Sequence, residues 1–256
     1  MNRRAVAISA GGFRGNLSAM VREAGPRLLL LLHGLGCSAE TFHGIAGRKA
    51  FEDFTLIAPD LPGFGHSERP EEFSYEMEAH GAVCAALIAG FPFGELHIVA
   101  HSMGGAVGLC LPRNLLASAR SFVNVEGNLT ADDCGLLSRR SAAAPFPEFS
   151  KEILPGLREE YRDRPRGHLE LDLADPLAFH RSAASLVAWS DSGRLLARFL
   201  SLPCPKLYLY GEKNADLPTL GRLTGVSKFS VASSGHFPMI DKPDLFYRRL
   251  AEFHGV

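Results

Sequence analysis

A serine sits among small residues in Val99-Ala100-His101-Ser102-Met103-Gly104-Gly105-Ala106. The apolar run Leu96–Ala100 leads into it, and a helix is expected to start directly after it. A serine perched on a sharp strand-to-helix turn has a strained backbone, and the turn closes only if its neighbours are small. The pattern makes Ser102 a candidate nucleophile. A helix N-cap serine also follows strands, but capping does not demand small residues on both sides. A hydroxyl attacks poorly until a base takes its proton, and imidazole titrates in the right range. Of the ten histidines, His236 in Ser233-Ser234-Gly235-His236-Phe237-Pro238 is singled out by position. It follows the last apolar run and precedes the last helical stretch. A third motif, Leu32-His33-Gly34-Leu35-Gly36, places a glycine turn after a neighbouring apolar run. There the backbone N–H of Leu35 can face the same point as that of Met103, and two such donors hold a developing oxyanion.

The elements that must position these groups follow from periodicity. Arg27–Leu32, Phe54–Ala58, Leu96–Ala100, Ser121–Val125 and Lys206–Tyr210 are apolar runs without polar alternation. Such runs suit strands buried on both faces of a parallel sheet. Ala39–Phe51 and Ser74–Ala89 have helical length and mixed polarity, so strand and helix alternate. The expected fold is α/β, a doubly wound and mostly parallel sheet. Ala5–Ser9 and Leu17–Arg22 read as an antiparallel pair leading into it. The rhythm breaks between about Gly127 and Leu202, where helical spacings are punctuated by Pro145, Pro147, Pro155, Pro165 and Pro176. We therefore expect a core of residues 1–126 and 203–256 with a helical cap insertion of residues 127–202. The strand pattern returns at Lys206–Tyr210 and Lys228–Ala232, and a last helix spans Pro243–His254.

Composition narrows the function classes. The 256 residues are 46% hydrophobic and 21% charged, with 27 basic and 28 acidic side chains. A net charge of −1 gives no electrostatic reason to expect nucleic acid or an anionic membrane as partner. The longest aliphatic run, Leu28–Leu32, is far too short to span a bilayer. Five scattered cysteines, Cys37, Cys84, Cys110, Cys134 and Cys204, lack metal-site spacing and read as buried free thiols in a reducing, cytoplasmic setting. Trp189, Phe146 and Phe149 are candidates for pocket lining or core. Glu95, Asp132 and Asp133 read as surface charges.

The motifs His33–Gly36, Ala58–Pro70, Ala100–Gly105 and Gly235–Pro243 together resemble the α/β-hydrolase superfamily, in its usual order and across almost the whole chain. The resemblance implies Ser102 as nucleophile, His236 as base and a cap where the helical insertion lies. Ala100 stands where the turn usually has glycine. The larger departure is the acid that orients the base. The usual Gly-Glu-x-Asp pattern falls on Gly211-Glu212-Lys213-Asn214, so asparagine replaces aspartate. Asp216, two residues on, is one substitute. Glu126, directly after Ser121–Val125, is the other, since some superfamily members carry their acid there. Glu126 is preferred, with Gly127 beside it to let the backbone turn. The expected activity is hydrolysis of a carboxylic ester with a small or medium acyl group, through an acyl-enzyme and without metal or organic cofactor. Thioester, lactone or carbon–carbon bond hydrolysis and acyl transfer use the same groups. A slow-turnover ligand-binding protein of this fold is the rival from another class. Oligomeric state is left open.

Overall fold

Five apolar runs build the middle of the sheet. The computed structural model describes residues 1–135 and 137–256. Its strands are β1 (Asn2–Ala10), β2 (Phe13–Arg22), β3 (Arg27–Leu32), β4 (Phe54–Pro59), β5 (Glu95–His101), β6 (Ser121–Val125), β7 (Lys206–Gly211) and β8 (Ser227–Val231). They form one sheet in the order β1-β2-β4-β3-β5-β6-β7-β8. The β1–β2 and β2–β4 pairs are antiparallel, and every other pair is parallel. β4 and β6 are buried along their whole length, and β3 and β5 everywhere but their first residue. Strands sandwiched between helices lose the polar alternation of half-exposed strands. In β3, Leu28, Leu30 and Leu32 join one core layer while Leu29 and Leu31 join the other. The outer strands β1 and β8 are the exposed ones.

The order β4-β3-β5 means that the chain leaves β3 in one direction, then crosses back over it to reach β5. The crevice at such a reversal is where open α/β sheets bind ligands. The carboxyl ends of β3 and β5 carry His33–Gly36 and Ser102.

Helices α1 (Met77–Ala89), α2 (Met103–Leu109) and, at the chain's end, Pro243–His254 flank the sheet. Ala39–Phe51 differs from expectation. It forms two short 3-10 segments, Ala39–Ile45 and Lys49–Phe51. Gly44 and Gly47 lie in this stretch, and glycine weakens a helix interior. Between β6 and β7 the chain is helical, including α3 (Pro176–Asp191) and α4 (Arg194–Ser201). Asp175 starts α3 by accepting from the N–H groups of Leu177 and Ala178, and Pro176 fills the first turn. This segment is tied to the sheet side at several points. Glu170 N–H donates to Gly36 O at 2.8 Å, Asp175 N–H to Gly63 O at 2.9 Å, and Trp189 Nε1–H to Glu78 Oε2 at 2.8 Å. Trp189 and Phe149 are buried in the core, and neither lines the main cavity.

Candidate active site

The turn at Ser102 is strained as its neighbours implied. Ser102 has φ 52° and ψ −123°, a region that residues with a Cβ seldom occupy. Its N–H donates to Val125 O at 3.1 Å, and its carbonyl accepts from Gly105 N–H at 2.8 Å. A side chain on Gly104 would run into the carbonyl oxygens of Leu32 and His33, so α2 packs directly on the turn that follows β3. Met103 is the first residue of α2, and the N–H groups of a first helical turn have no partner inside the helix.

The β3 turn is equally fixed. Cys37 N–H donates to Gly34 O at 3.2 Å, closing a four-residue turn, and Gly36 has φ 73°. Type II turns need a positive φ at the third position, which glycine adopts without penalty. His33 secures the turn from behind. Its Nδ1–H donates to Gly34 O at 2.8 Å, and its Nε2 accepts from Leu61 N–H at 2.9 Å. Both nitrogens are thus used by a neutral ring, and burial lowers its pKa accordingly. Asp60 holds the next loop, accepting from Ala39 N–H at 2.7 Å and Arg3 Nη1 at 2.6 Å.

His236 meets a carboxylate. Its Nδ1–H donates to Glu126 Oε2 at 2.7 Å. That bond fixes the tautomer and leaves Nε2 bare, the form in which imidazole accepts a proton. Glu126 is buried and sits at φ 44° immediately after β6. Its Oε1 accepts from Gly211 N–H at 2.7 Å and from Asn214 Nδ2 at 3.0 Å, and its Oε2 from the same Asn214 nitrogen at 2.8 Å. A buried carboxylate is tolerated when donors surround it. Asp216 is exposed, and its side chain has no hydrogen bond among the described residues. Asn214, the departure from the usual acid position, is therefore a donor to Glu126.

One cavity of about 370 Å³ joins these groups, with Leu35, Ser102 and His236 in its wall beside Tyr161, His168 and Leu186 from the helical segment. The His168 ring lies tilted against Phe237 at 4.2 Å between ring centres, with Nε2 3.5 Å from Asp241 Oδ1. Burial lowers its pKa, and Asp241 opposes that shift without overcoming it. Asp133, expected at the surface, also lines the cavity. Its Oδ2 accepts from the N–H groups of Leu129 and Thr130, because it caps the short 3-10 segment Ala131–Cys134. The spacing Thr130-Ala131-Asp132-Asp133 carried that capping signal. Among the described residues, no group of three or more His, Cys, Asp or Glu side chains is arranged to hold a metal, and no helix is long and apolar enough to cross a membrane.

Comparison with known proteins agrees with this architecture. An uncharacterised protein of Mycobacterium tuberculosis is 28% identical over 256 residues, spanning 88% of this chain and 74% of the relative. A thermophilic esterase from Thermogutta terrifontis has a similar structure, with a TM-score of 0.74, 21% identity and 98% of each chain covered. An N-acyl homoserine lactonase complexed with N-butanoyl homoserine gives a TM-score of 0.77 at 17% identity, covering 99% of this chain and 96% of the lactonase. At such identities the likeness speaks to the fold alone. The family model described as "Alpha/beta hydrolase family" matches residues 29–249, and the chain belongs to that family.

Proposed function

We propose that the protein is a serine hydrolase that cleaves a carboxylic ester of small or medium acyl size. The observation that carries this reading is the His236 Nδ1–H bond to buried Glu126, opening on the same cavity as Ser102 on its strained turn. Ser102 Oγ attacks the acyl carbon while its proton passes to His236 Nε2. The imidazolium that forms is held by Glu126 across the 2.7 Å bond. The carbonyl oxygen becomes an oxyanion facing the N–H groups of Leu35 and Met103, donors of a kind worth roughly 10²–10³ in rate each. Collapse of the tetrahedral adduct breaks the ester bond, and the departing alkoxide takes the proton from His236. Water then gives a proton to His236, attacks the acyl-enzyme, and releases the acid as Ser102 recovers its proton. Residues 127–202 act as a cap that closes the cavity and shapes its acyl end. A lactone is a cyclic ester, so the likeness to a lactonase fits the same steps.

A fluorophosphonate probe and p-nitrophenyl esters of graded chain length test the reading. Wild type is expected to label and turn over, and Ser102→Ala to do neither. Glu126→Gln is expected to lose roughly 10³–10⁴-fold in kcat, as amide replacement does in related triads. Asp216→Asn is expected to stay near wild type. Equal labelling of Ser102→Ala, or a folded wild type that does not label, refutes the hydrolase reading in favour of a binding protein. Loss of activity in Asp216→Asn alone moves the acid to Asp216.

A further inference from the structure

His101 ends β5 one residue before Ser102, and its side chain is completely buried. Its Nε2–H donates to the backbone carbonyl of His236 at 2.9 Å. A carbonyl only accepts, so Nε2 carries the proton and Nδ1 is bare. That Nδ1 is buried and has no hydrogen-bonding partner among the described residues. Burial also keeps the ring neutral, with its pKa well below the ordinary imidazole value.

The contacts of this ring explain why an imidazole stands here. Its centre lies 4.7 Å from that of His236 and 4.8 Å from that of Phe237. On the other side, a Cβ on Gly34 would fall 3.1 Å from His101 Nδ1 and 3.0 Å from Ser102 Cβ. One side chain thus touches the oxyanion turn and holds the loop of His236 while adjoining Ser102. A buried acceptor without a partner is unfavourable, and an apolar ring would fill the space without it. Only the bond to His236 O requires the second nitrogen.

We infer that His101 is a positioning residue whose Nε2–H···O bond to the His236 backbone sets the placement of the His236 imidazole against Ser102. The inference rests on the reading of Ser102 and His236 as nucleophile and base. His101 is itself part of the cavity wall beside Ser102, but its bond to the His236 backbone fixes the base, so its effect falls on proton transfer more than on substrate binding.

Three variants test it with p-nitrophenyl acetate and a fluorophosphonate probe. His101→Phe keeps a ring without the donor. His101→Asn is too short to span the bond, and His101→Gln can restore an N–H donor. With melting temperatures confirming the folded state, His101→Phe and His101→Asn are expected to lose roughly 10²-fold in kcat, the scale of a misplacement of about 1 Å. KM should stay within about twofold, the signature of an interaction expressed in the transition state. Fluorophosphonate inactivation should slow by the same factor, since it also needs His236 to take the serine proton. His101→Gln should recover most of the loss. If His101→Phe does not fold, the Asn and Gln pair makes the same comparison. The inference is overturned if folded His101→Asn keeps wild-type kcat, or if KM rises instead. It is equally overturned if Gln is no better than Asn, or if activity merely tracks the folded fraction in all three variants. A wild type that neither labels nor turns over refutes the hydrolase reading and this inference together, whereas failure within the series beside an active wild type refutes this inference alone.

Discussion

Asn214→Asp is the most informative single change, because it alters chemistry with almost no change of shape. The Asn214 amide donates to both oxygens of Glu126, at 3.0 and 2.8 Å. Aspartate would turn that donor into an acceptor facing a buried carboxylate. Two unit charges about 3 Å apart repel by about 5 kcal/mol at an effective dielectric near 20. Residue 214 is only half-buried, so water and a small rotation relieve about half of this, leaving roughly 2–3 kcal/mol. Protonation within the cluster, which includes the His236 ring bonded to Glu126, relieves the remainder, and the cluster holds a proton above the ordinary carboxylate range. The folded state then binds a proton that the unfolded chain has already released. Stability relative to wild type must fall as pH rises from about 4 through the raised pKa of the cluster, and level off above it. Urea unfolding of wild type, Asn214→Asp and Asn214→Ala between about pH 4.5 and 8.5 reads this directly. The alanine variant introduces no charge and should show a nearly flat deficit of about 1 kcal/mol for the lost bonds. A deficit for Asn214→Asp that is independent of pH, or that shrinks as pH rises, would refute the reasoning.

Two further outcomes follow from the packing. Gly104→Ala drives a Cβ into the Leu32 and His33 carbonyls, backbone that cannot yield as a side chain can, so a loss of at least about 3 kcal/mol is expected, measured by urea unfolding; a melting temperature within about 2 °C of wild type argues against that contact. His80 is buried, bonded through Nε2 to Ser182 Oγ at 3.0 Å, and burial lowers its pKa to about 3. Its neutral form stabilises the fold fully above the unfolded value near 6.5, and that stability drains away as pH falls toward 3. Between pH 7 and 5 the loss is about 2 kcal/mol at about 1.36 kcal/mol per unit, so His80→Gln should show a correspondingly shallower acid slope in urea unfolding, and an unchanged slope would assign the acid sensitivity to other groups.

The parallel strands were legible because burial on both faces leaves an unbroken apolar signature, and β3 to β7 carry it. The hairpin at the sheet's edge is longer than its apolar pattern. Its first strand begins at Asn2 and its second at Phe13, well outside Ala5–Ser9 and Leu17–Arg22. Exposed strands such as β1 carry polar residues that blur the apolar pattern. The stronger signal was the turn, since Gly11 and Gly12 both have positive φ between Ala10 and Phe13, the geometry of a two-residue primed hairpin. Pocket residues such as Tyr161 and His168 were invisible for a different reason. They lie in the turn and loop that follow the helix Leu154–Glu160, where packing on the sheet is decided by contacts far apart in sequence and no local period reports them.

The carboxylate bonded to His236 shows how a departure from a motif can carry information. Glu126 and Asp216 each follow a strand, so sequence position alone ranked them without deciding. Register decides which one His236 meets. β6 and β7 pair in parallel with Val125 opposite Leu209, which brings the Gly211 N–H and the Asn214 amide to the Glu126 carboxylate. Residue 214 therefore stays part of the same hydrogen-bonded cluster whether or not it bears the charge. With a carboxylate already on the β6 side, a second one at 214 would face it across about 3 Å, and like charges at that range cannot both ionise freely. An amide supplies the donor that the first carboxylate needs. The asparagine is thus better understood as the complement of Glu126 than as a lost aspartate.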